Sequence, residues 1–571
     1  MLFKKWSVAL LIAGLVFALV AGACGDDPLG GIIPDLTKED DTNKDDLTKA
    51  LTDPVEDPNV PLVNYTSGPD ALSLGISTNA NVLTLGLMPG NDTKEINLNW
   101  YSSGSQSDKV AQVRFVRGTF TSGRGLIEKD GEVSAASTGN TAHKVTVQGL
   151  WTGASYQYMV SSDGENWSDA YDLKVPSIVG AFRFAVASDP QLTTGKVDVN
   201  SRYPLNANSD ATTANGWLET MTKIVAANVS FIAFCGDQVD ASNGNETEYT
   251  NFFAPPGMKS LPFSPVSGNH DNHLHFNYHY NLPNVQTFAD ETVATAAGRN
   301  YFYLYNNILF VVLNTAPYGG TNGNHTTVFP VADAQLHIAR FRSTIQAAKA
   351  KHPTYDWLIV QHHKSTASVA DHLADRDIQG YVEAGFEKLM SDENVDLVLA
   401  GHDHVYARSY PLQGRDGGFV SVPVKTGFNA APGSTWHNPG NPIYLTFTTA
   451  SGLKYYAVAP DPTFNYATTL YVQNNTAYPY LDAIDTTTGA GQEKSTKVGS
   501  TDYLTKQYLP VSNAAFVQPY IPSYTIVDVN GKSITFKTYA IKTATGTSNG
   551  ASQSYSFDET LPYDEITITK N

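Results

Sequence analysis

Five short apolar runs constrain this chain more than any other feature. "GAFRFAVASD", "VSFIAFCGD", "LPFSPVSGNHD", "YDWLIVQHH" and "VDLVLAGHDH" each end, on the carboxyl side, in Asp, Asn or His. Apolar runs of this length read as strands buried on both faces, and their alternation with helical stretches reads as an α/β domain. In such domains ligands gather beyond the carboxyl ends of the strands, so five runs would bring carboxylate, amide and imidazole groups to one edge. The helices between them are predicted from periodicity. "TANGWLETMTKIVAAN" places Trp217, Met221, Ile224 and Val225 on one face, and "VADAQLHIARFRSTIQAAKAK" does the same with Leu336, Ala339 and Ile345.

Upstream, from about 62 to 178, the pattern changes to short alternating runs. Ile96, Leu98 and Trp100 alternate with polar residues, as do Val113 with Phe115, Val145 with Val147, and Tyr156, Tyr158 and Val160. Period-two runs separated by Gly, Asn and Ser turns predict a β-sandwich of roughly 110 residues. Its string "GLWTGASYQYMVSSDGENWS" resembles fibronectin type III domains, which by itself would suggest an adhesion or spacer module.

The first 24 residues, "MLFKKWSVALLIAGLVFALVAGAC", have a basic start at Lys4 and Lys5, an apolar run and then small residues before Cys24. This reads as a secretory signal peptide of lipoprotein type, with Cys24 the lipidated residue, although Ala21 stands where Leu is usual. The competing reading is an uncleaved anchor. Residues 25–61 are acidic, Pro-punctuated and poor in aromatics, as expected of a flexible tether. The other cysteine, Cys235, lies in an apolar run and reads as a small core residue, so no intramolecular disulfide is expected once Cys24 is lipidated. A formal charge of −18 argues against a nucleic-acid partner, which would require basic patches. In the tail, "GNPIYLTFTTASGLKYYAVAP" and "SYTIVDVNGKSITFKTYAI" predict strands, the latter a hairpin turning at Asn-Gly. Residues 459–515 show little periodicity and read as an insertion in a catalytic domain running from 180 to 571.

Singly, each strand-end motif is weak. Asp189 in "SDPQ" can simply start a turn, and a His-x-His can sit on a plain surface. As an ordered set, SDPQ, GDxxD, GNHD, VxxH and GHxH resembles the five blocks of the calcineurin-like metallophosphoesterases. The closest likeness is to the purple acid phosphatases, because of the preceding sandwich and "GHDHVYARSYPL". The resemblance covers about 62 to 455 and the final hairpin, and implies an α/β domain of two mixed sheets flanked by helices. It also implies two divalent ions (Fe, Mn or Zn) about 3.5–4 Å apart that clamp phosphate. Asp189 and His404 would hold the first ion, Asp237 would bridge both, and Asn269, His363 and His402 would hold the second. His362 is the alternative to His363. His270 would protonate the leaving group and Asp271 would orient it. His372 would contact substrate, while His273, His275 and His279 read as solvated loop residues.

Two departures bear on the first ion. The purple acid phosphatases carry, three residues after the bridging Asp, a Tyr whose phenolate binds Fe(III); here that position is Asp240. Other metallophosphoesterases use D-x-H, and here the third residue is Gln191. Gln191, through its amide oxygen, and Asp240 are therefore the remaining candidate ligands, and a divalent ion suits the site better than Fe(III). The leader and tether imply an exported, membrane-tethered protein, and the resemblance implies an enzyme in which metal-activated hydroxide attacks a small phosphate monoester in line. The alternatives are a phosphodiesterase or nucleotidase on the same site, or a surface binding protein with a decayed catalytic domain.

Overall fold

A computed structural model of the chain describes residues 61–456 and 512–571, except 68–71, 73–80, 138, 196–212, 242–243, 272–273, 290, 292–297, 317–330, 371, 373–374, 416–421 and 548–553. The expected leader, the tether up to residue 60 and most of the 459–515 stretch lie outside the described residues.

Alternating sequence upstream becomes a sandwich. Strands β1 (Leu83–Pro89), β2 (Ile96–Ser103), β3 (Gln112–Thr119), β4 (Ser122–Asp130), β5 (Glu132–Ala135), β6 (Asn140–Val147), β7 (Ser155–Ser161) and β8 (Tyr171–Lys174) form two antiparallel sheets, ordered β1-β2-β6-β5 and β4-β3-β7-β8. Leu98, Trp100, Val113, Phe115, Val145, Tyr156, Tyr158 and Val160 fill the core between them. Each comes from one face of a period-two strand, which is why alternation located them.

The following domain is built on two seven-stranded mixed sheets. In the first, β9 (Phe182–Ala187), β10 (Ile232–Phe234) and β11 (Phe263–Ser264) run parallel. The sheet continues from β9 through β22 (Ser523–Asn530), β23 (Ser533–Ala540), β26 (Asp564–Thr569) and β19 (Ser434–His437). The second is ordered β12 (Tyr301–Tyr305), β13 (Ile308–Val312), β14 (Trp357–Lys364), β15 (Leu397–Gly401), β20 (Ile443–Thr446), β16 (Tyr406–Ser409), β21 (Asn513–Val517), with β13, β14, β15 and β20 parallel. Two short pairs, β17 (Leu412–Gln413) with β18 (Val422–Pro423) and β24 (Ala544–Thr547) with β25 (Ser554–Phe557), complete the strands.

Consecutive residues of the inner strands serve opposite layers. Ile308, Phe310, Trp357 and Ile359 join the core between the sheets, while Leu309, Val311, Leu358 and Val360 pack against the helices. Strands buried on both faces need unbroken apolar sequence, and these have it. The helix α1 (Thr213–Ala226) buries Trp217, Met221 and Ile224, but Val225 is exposed, one position off the expected face. The α4 helix (Val331–Lys351), which follows α2 (Glu246–Phe253) and α3 (Leu274–His279), is a correction. Its buried stripe is Ala334, Ile338, Phe341, Ile345 and Ala348, whereas Leu336 and Ala339 face outward. Small and aromatic residues line the close approach to the sheet there, and Leu336 had looked like the better anchor. The expected insertion also ends earlier than read, because residues 513–515 belong to β21 and pair with β16.

Arg408 on β16 and Asp564 on β26 tie the two sheets together. The guanidinium donates through Nε at 2.8 Å and Nη2 at 3.2 Å, Tyr406 adds its hydroxyl at 2.6 Å, and both charges are buried. Asp564→Ala should therefore lower unfolding free energy by about 3–5 kcal/mol, because it strands a buried cation. Urea denaturation checks this, and a change under 1 kcal/mol would mean that solvent replaces the carboxylate.

Candidate metal centre

Backbone strain marks the site before any side chain is considered. Asp189, Gln191, Asp237, His402 and His404 all have left-handed φ, between +43° and +74°. Such conformations are unfavourable for residues with a Cβ and persist where the surroundings impose them, as at ligand sites. All five follow the carboxyl ends of β9, β10 and β15.

The glycines of the motifs explain the close approach. A Cβ on Gly268 would fall on Asp237 Oδ1, one on Gly401 would meet Ser188 Oγ and Asp189 Oδ2, and one on Gly236 would enter the His363 ring. Gly-Asp, Gly-Asn-His and Gly-His are thus steric requirements for bringing loop ends from two sheets into contact.

Donor atoms converge on His363 Nε2. Asn269 Oδ1 lies 3.0 Å from it, His402 Nδ1 3.2 Å and Asp237 Oδ2 3.3 Å. Around a first-row ion with bonds of ~2.1 Å, neighbouring donors stand about 3.0–3.4 Å apart. The other nitrogen, His363 Nδ1, donates to the Cys235 carbonyl at 2.8 Å, which leaves Nε2 as the lone-pair nitrogen facing two oxygens. That arrangement requires a cation or a proton among them. Burial alone would lower the His363 pKa, but the Asp237 carboxylate outweighs it and pushes the group up to about 9. Burial would raise Asp237, yet His363 and His270 hold it well below the usual carboxylate range. His402 Nε2 is buried without a hydrogen-bond partner among the described residues.

The first-ion residues are as deeply buried, with Asp189, Gln191 and His404 at 1% exposure or less. His404 donates from Nδ1 to the Lys454 carbonyl at 2.7 Å and points Nε2 at Asp189 Oδ1, 3.4 Å away. The Gln191 amide oxygen is buried without a partner among the described residues, while its Nε2 donates to Asp240 Oδ1 at 3.1 Å. Carboxylate, imidazole and amide oxygen with no thiolate form a donor set for divalent first-row ions. Asp237, His363 and His402 form a compact group of three; around Asp189 and His404 the described residues bring no such third His, Cys, Asp or Glu.

His362 faces away from this cluster, as its neighbour on a strand must. Its ring packs 4.8 Å from Phe386, and burial together with the charge on His363 pushes its pKa down to about 3. The His270 ring places Nδ1 against the Asp240 carbonyl, with Asp240 Oδ1 3.6 Å away, and its backbone N–H donates to Asp237 Oδ1 at 2.9 Å. Asp271 does not orient that ring. It accepts from the backbone N–H groups of Gln238, Gly268 and Val239 at 3.0, 3.0 and 3.3 Å, clamping two ligand loops together. Burial, followed by repulsion from Asp237, pushes it up to about 8. His273 lies outside the described residues, and His279 is not solvated. His279 is buried between the rings of Tyr101 and Tyr249, at 4.1 and 3.9 Å, and bonds Glu246 at 2.9 Å. It joins sandwich to catalytic domain.

Tyr456 escaped the sequence reading, because it lies beyond the last motif in a run read only as a strand; the strand found there is limited to Ile443–Thr446. Its ring stands edge-on to His372 at 4.4 Å and 5.0 Å from His404. Burial and the surrounding carboxylates raise its phenol pKa strongly, which opposes a phenolate. With Asp240 in place of Tyr, iron-loaded and oxidised protein should show no intense phenolate band in the visible. A band that Tyr456→Phe removes would make Tyr456 a ligand and reverse this expectation.

Two mixed sheets packed face to face, with a donor cluster at the ends of their parallel strands, define a metallophosphoesterase-type domain. Residues 182–406 match the family described as Calcineurin-like phosphoesterase. Uncharacterized proteins from two Mycobacterium tuberculosis strains, CDC 1551 / Oshkosh and ATCC 25618 / H37Rv, are each 22% identical over 355 residues. The match spans 58% of this chain and 63% of theirs, less than two thirds of the relatives' length. A purple acid phosphatase from yellow lupin (Lupinus luteus) seeds shares the fold, with a TM-score of 0.52 and 14% identity over 86% of this chain and 74% of that one.

Proposed function

We propose that the protein is an exported, metal-dependent phosphatase acting on small phosphate monoesters. The observation that carries this is the meeting of Asp237, Asn269 and His402 donor atoms within 3.3 Å of His363 Nε2, beside Asp189 and His404. Asp237, Asn269, His363 and His402 would hold one divalent ion, and Asp189, His404, Asp237 and the Gln191 amide another. Bound there, such ions supply Lewis-acid polarisation of the phosphoryl group and activation of water. The chain's own residues do the rest. His363 and His404 are oriented by backbone carbonyls, so their donor nitrogens are fixed before metal arrives. His270, whose Nδ1 is committed to the Asp240 carbonyl, has Nε2 left to serve as the proton donor to the departing alkoxide.

The sandwich is read as a fibronectin type III-like module. The basic-apolar start and "AGAC" support export with a lipid anchor at Cys24, and divalent Fe, Mn or Zn fits the donor set. Among the described residues no helix is long and apolar enough to cross a membrane. The test compares p-nitrophenyl phosphate with its bis-ester on protein loaded separately with Mn(II), Zn(II) and Fe(II). The monoester should be preferred by at least ~10-fold in kcat/KM, a difference of about 1.4 kcal/mol in transition-state binding. Preference for the diester would make the protein a phosphodiesterase, and activity on neither would indicate a binding protein on this fold.

A further inference from the structure

Between the two histidines of "GHDH" sits Asp403, a fully buried carboxylate. Its Oδ1 accepts from His372 Nδ1 at 2.6 Å, and its Oδ2 has no hydrogen-bond partner among the described residues. Sequence spacing gives Asp403 no role, since it is the variable position of a His-x-His pair. A carboxylate carried into the interior is costly unless the bond it makes matters. Here that bond goes to a ring lying directly on the metal-ligand cluster.

His372 is held on three sides. Its ring packs 4.2 Å from the His402 ring, stands edge-on to Tyr456 at 4.4 Å, and is tied through Nδ1 to Asp403. With Nδ1 committed, Nε2 is the nitrogen left to meet a ligand. Donor atoms of His372, Asp375 and His402 also lie within 4.8 Å of one another, so the ring is at the lip of the cluster. An imidazole without such a bond would lose rotational freedom on binding, at a cost in affinity. Asp403 removes that cost in advance.

We propose that Asp403 is a positioning residue that fixes His372 so that its Nε2 donates to a phosphate oxygen at the metal centre. This rests on the phosphoesterase reading above. Asp403 touches no substrate itself; it acts through His372, and it couples the ring to the same loop that carries His402 and His404.

The test measures inorganic phosphate binding to metal-loaded protein by calorimetry and by inhibition of p-nitrophenyl phosphate hydrolysis. Metal content is measured on each variant: Asp403→Ala, Asp403→Asn, His372→Ala and the double Asp403→Ala/His372→Ala. Asp403→Ala and His372→Ala should each weaken phosphate about 10-fold with metal content unchanged, as loss of one charge-assisted hydrogen bond predicts. The double variant should be no worse than either single, because both remove one interaction. Asp403→Asn should stay within about threefold, since its amide oxygen still accepts from Nδ1. Wild-type phosphate affinity in Asp403→Ala, or a double variant in which the two losses multiply, would overturn the proposal. Metal loss in both Asp403 variants would also overturn it, by showing that Asp403 supports the ligands. Failure of the metal-loaded wild type to bind phosphate would remove the phosphoesterase reading and this proposal with it.

Discussion

Replacing Asp237 with Asn should lower kcat/KM by roughly 10³-fold, the scale seen when one preorganised electrostatic group is removed from a reacting centre. The size of the effect follows from position. Asp237 Oδ2 faces His363 Nε2 at 3.3 Å while Oδ1 accepts from the His270 backbone at 2.9 Å, so one carboxylate touches both the donor cluster and the loop that bears His270, the proposed acid. Asn keeps the shape but supplies no charge. The electrostatics of the metal-free protein do not favour global unfolding of this variant. Asp271 is pushed up by burial and by the Asp237 charge, so neutralising Asp237 relieves it. His363 then reverts to the neutral form that its burial favours. Metal-free Asp237→Asn should therefore melt no lower than metal-free wild type. Zn(II) or Mn(II) should raise the wild-type Tm, by about 2.7 kcal/mol of stabilisation at 100-fold excess over Kd, and should scarcely move the variant. Activity within a few-fold of wild type, or an unchanged metal-induced shift, would remove Asp237 from the centre.

The site was more legible than the architecture around it, and the reason is physical. Three of the candidate ligands sit past a strand end with a glycine before them, and both features are local: Gly236-Asp237, Gly268-Asn269 and Gly401-His402 can be read without knowing which strands pair. Sheet membership is not local. That β22 would pair antiparallel with β9, more than three hundred residues earlier, is set by the inter-sheet core and leaves no mark in either strand's own sequence. The helix face of α4 was misplaced for a related reason. Leu336 is apolar enough to be a core residue in isolation, but the close helix–sheet approach selects Ala334 and Ala348 by size. Asp271 shows the complementary error. Adjacency to His270 suggested a partnership, whereas the tight turn sends the two side chains apart, one to the site and the other back onto the amides of Gln238, Val239 and Gly268.

His270→Ala should keep its metal and still lose ~10²–10⁴-fold in rate on substrates with poor leaving groups, the range typical of a general acid. Retention of metal follows from the contacts. The bond to Asp237 comes from the residue 270 backbone N–H, which Ala preserves, and the imidazole's nearest partners are the carbonyl and carboxylate of Asp240 rather than any ligand donor. The loss should depend on the leaving group, because a p-nitrophenolate departs without a proton while a simple alkoxide does not. A series of aryl and alkyl phosphates assayed at fixed metal would show the variant falling further behind as leaving-group pKa rises. Asp240→Ala removes the carboxylate 3.6 Å from the ring but leaves the carbonyl that holds Nδ1, so it should reproduce only a small part of the defect. An equal loss on every leaving group would make His270 a phosphate contact instead of an acid. Loss of metal in His270→Ala would make it a ligand, and the proton would then have to come from another group facing the site.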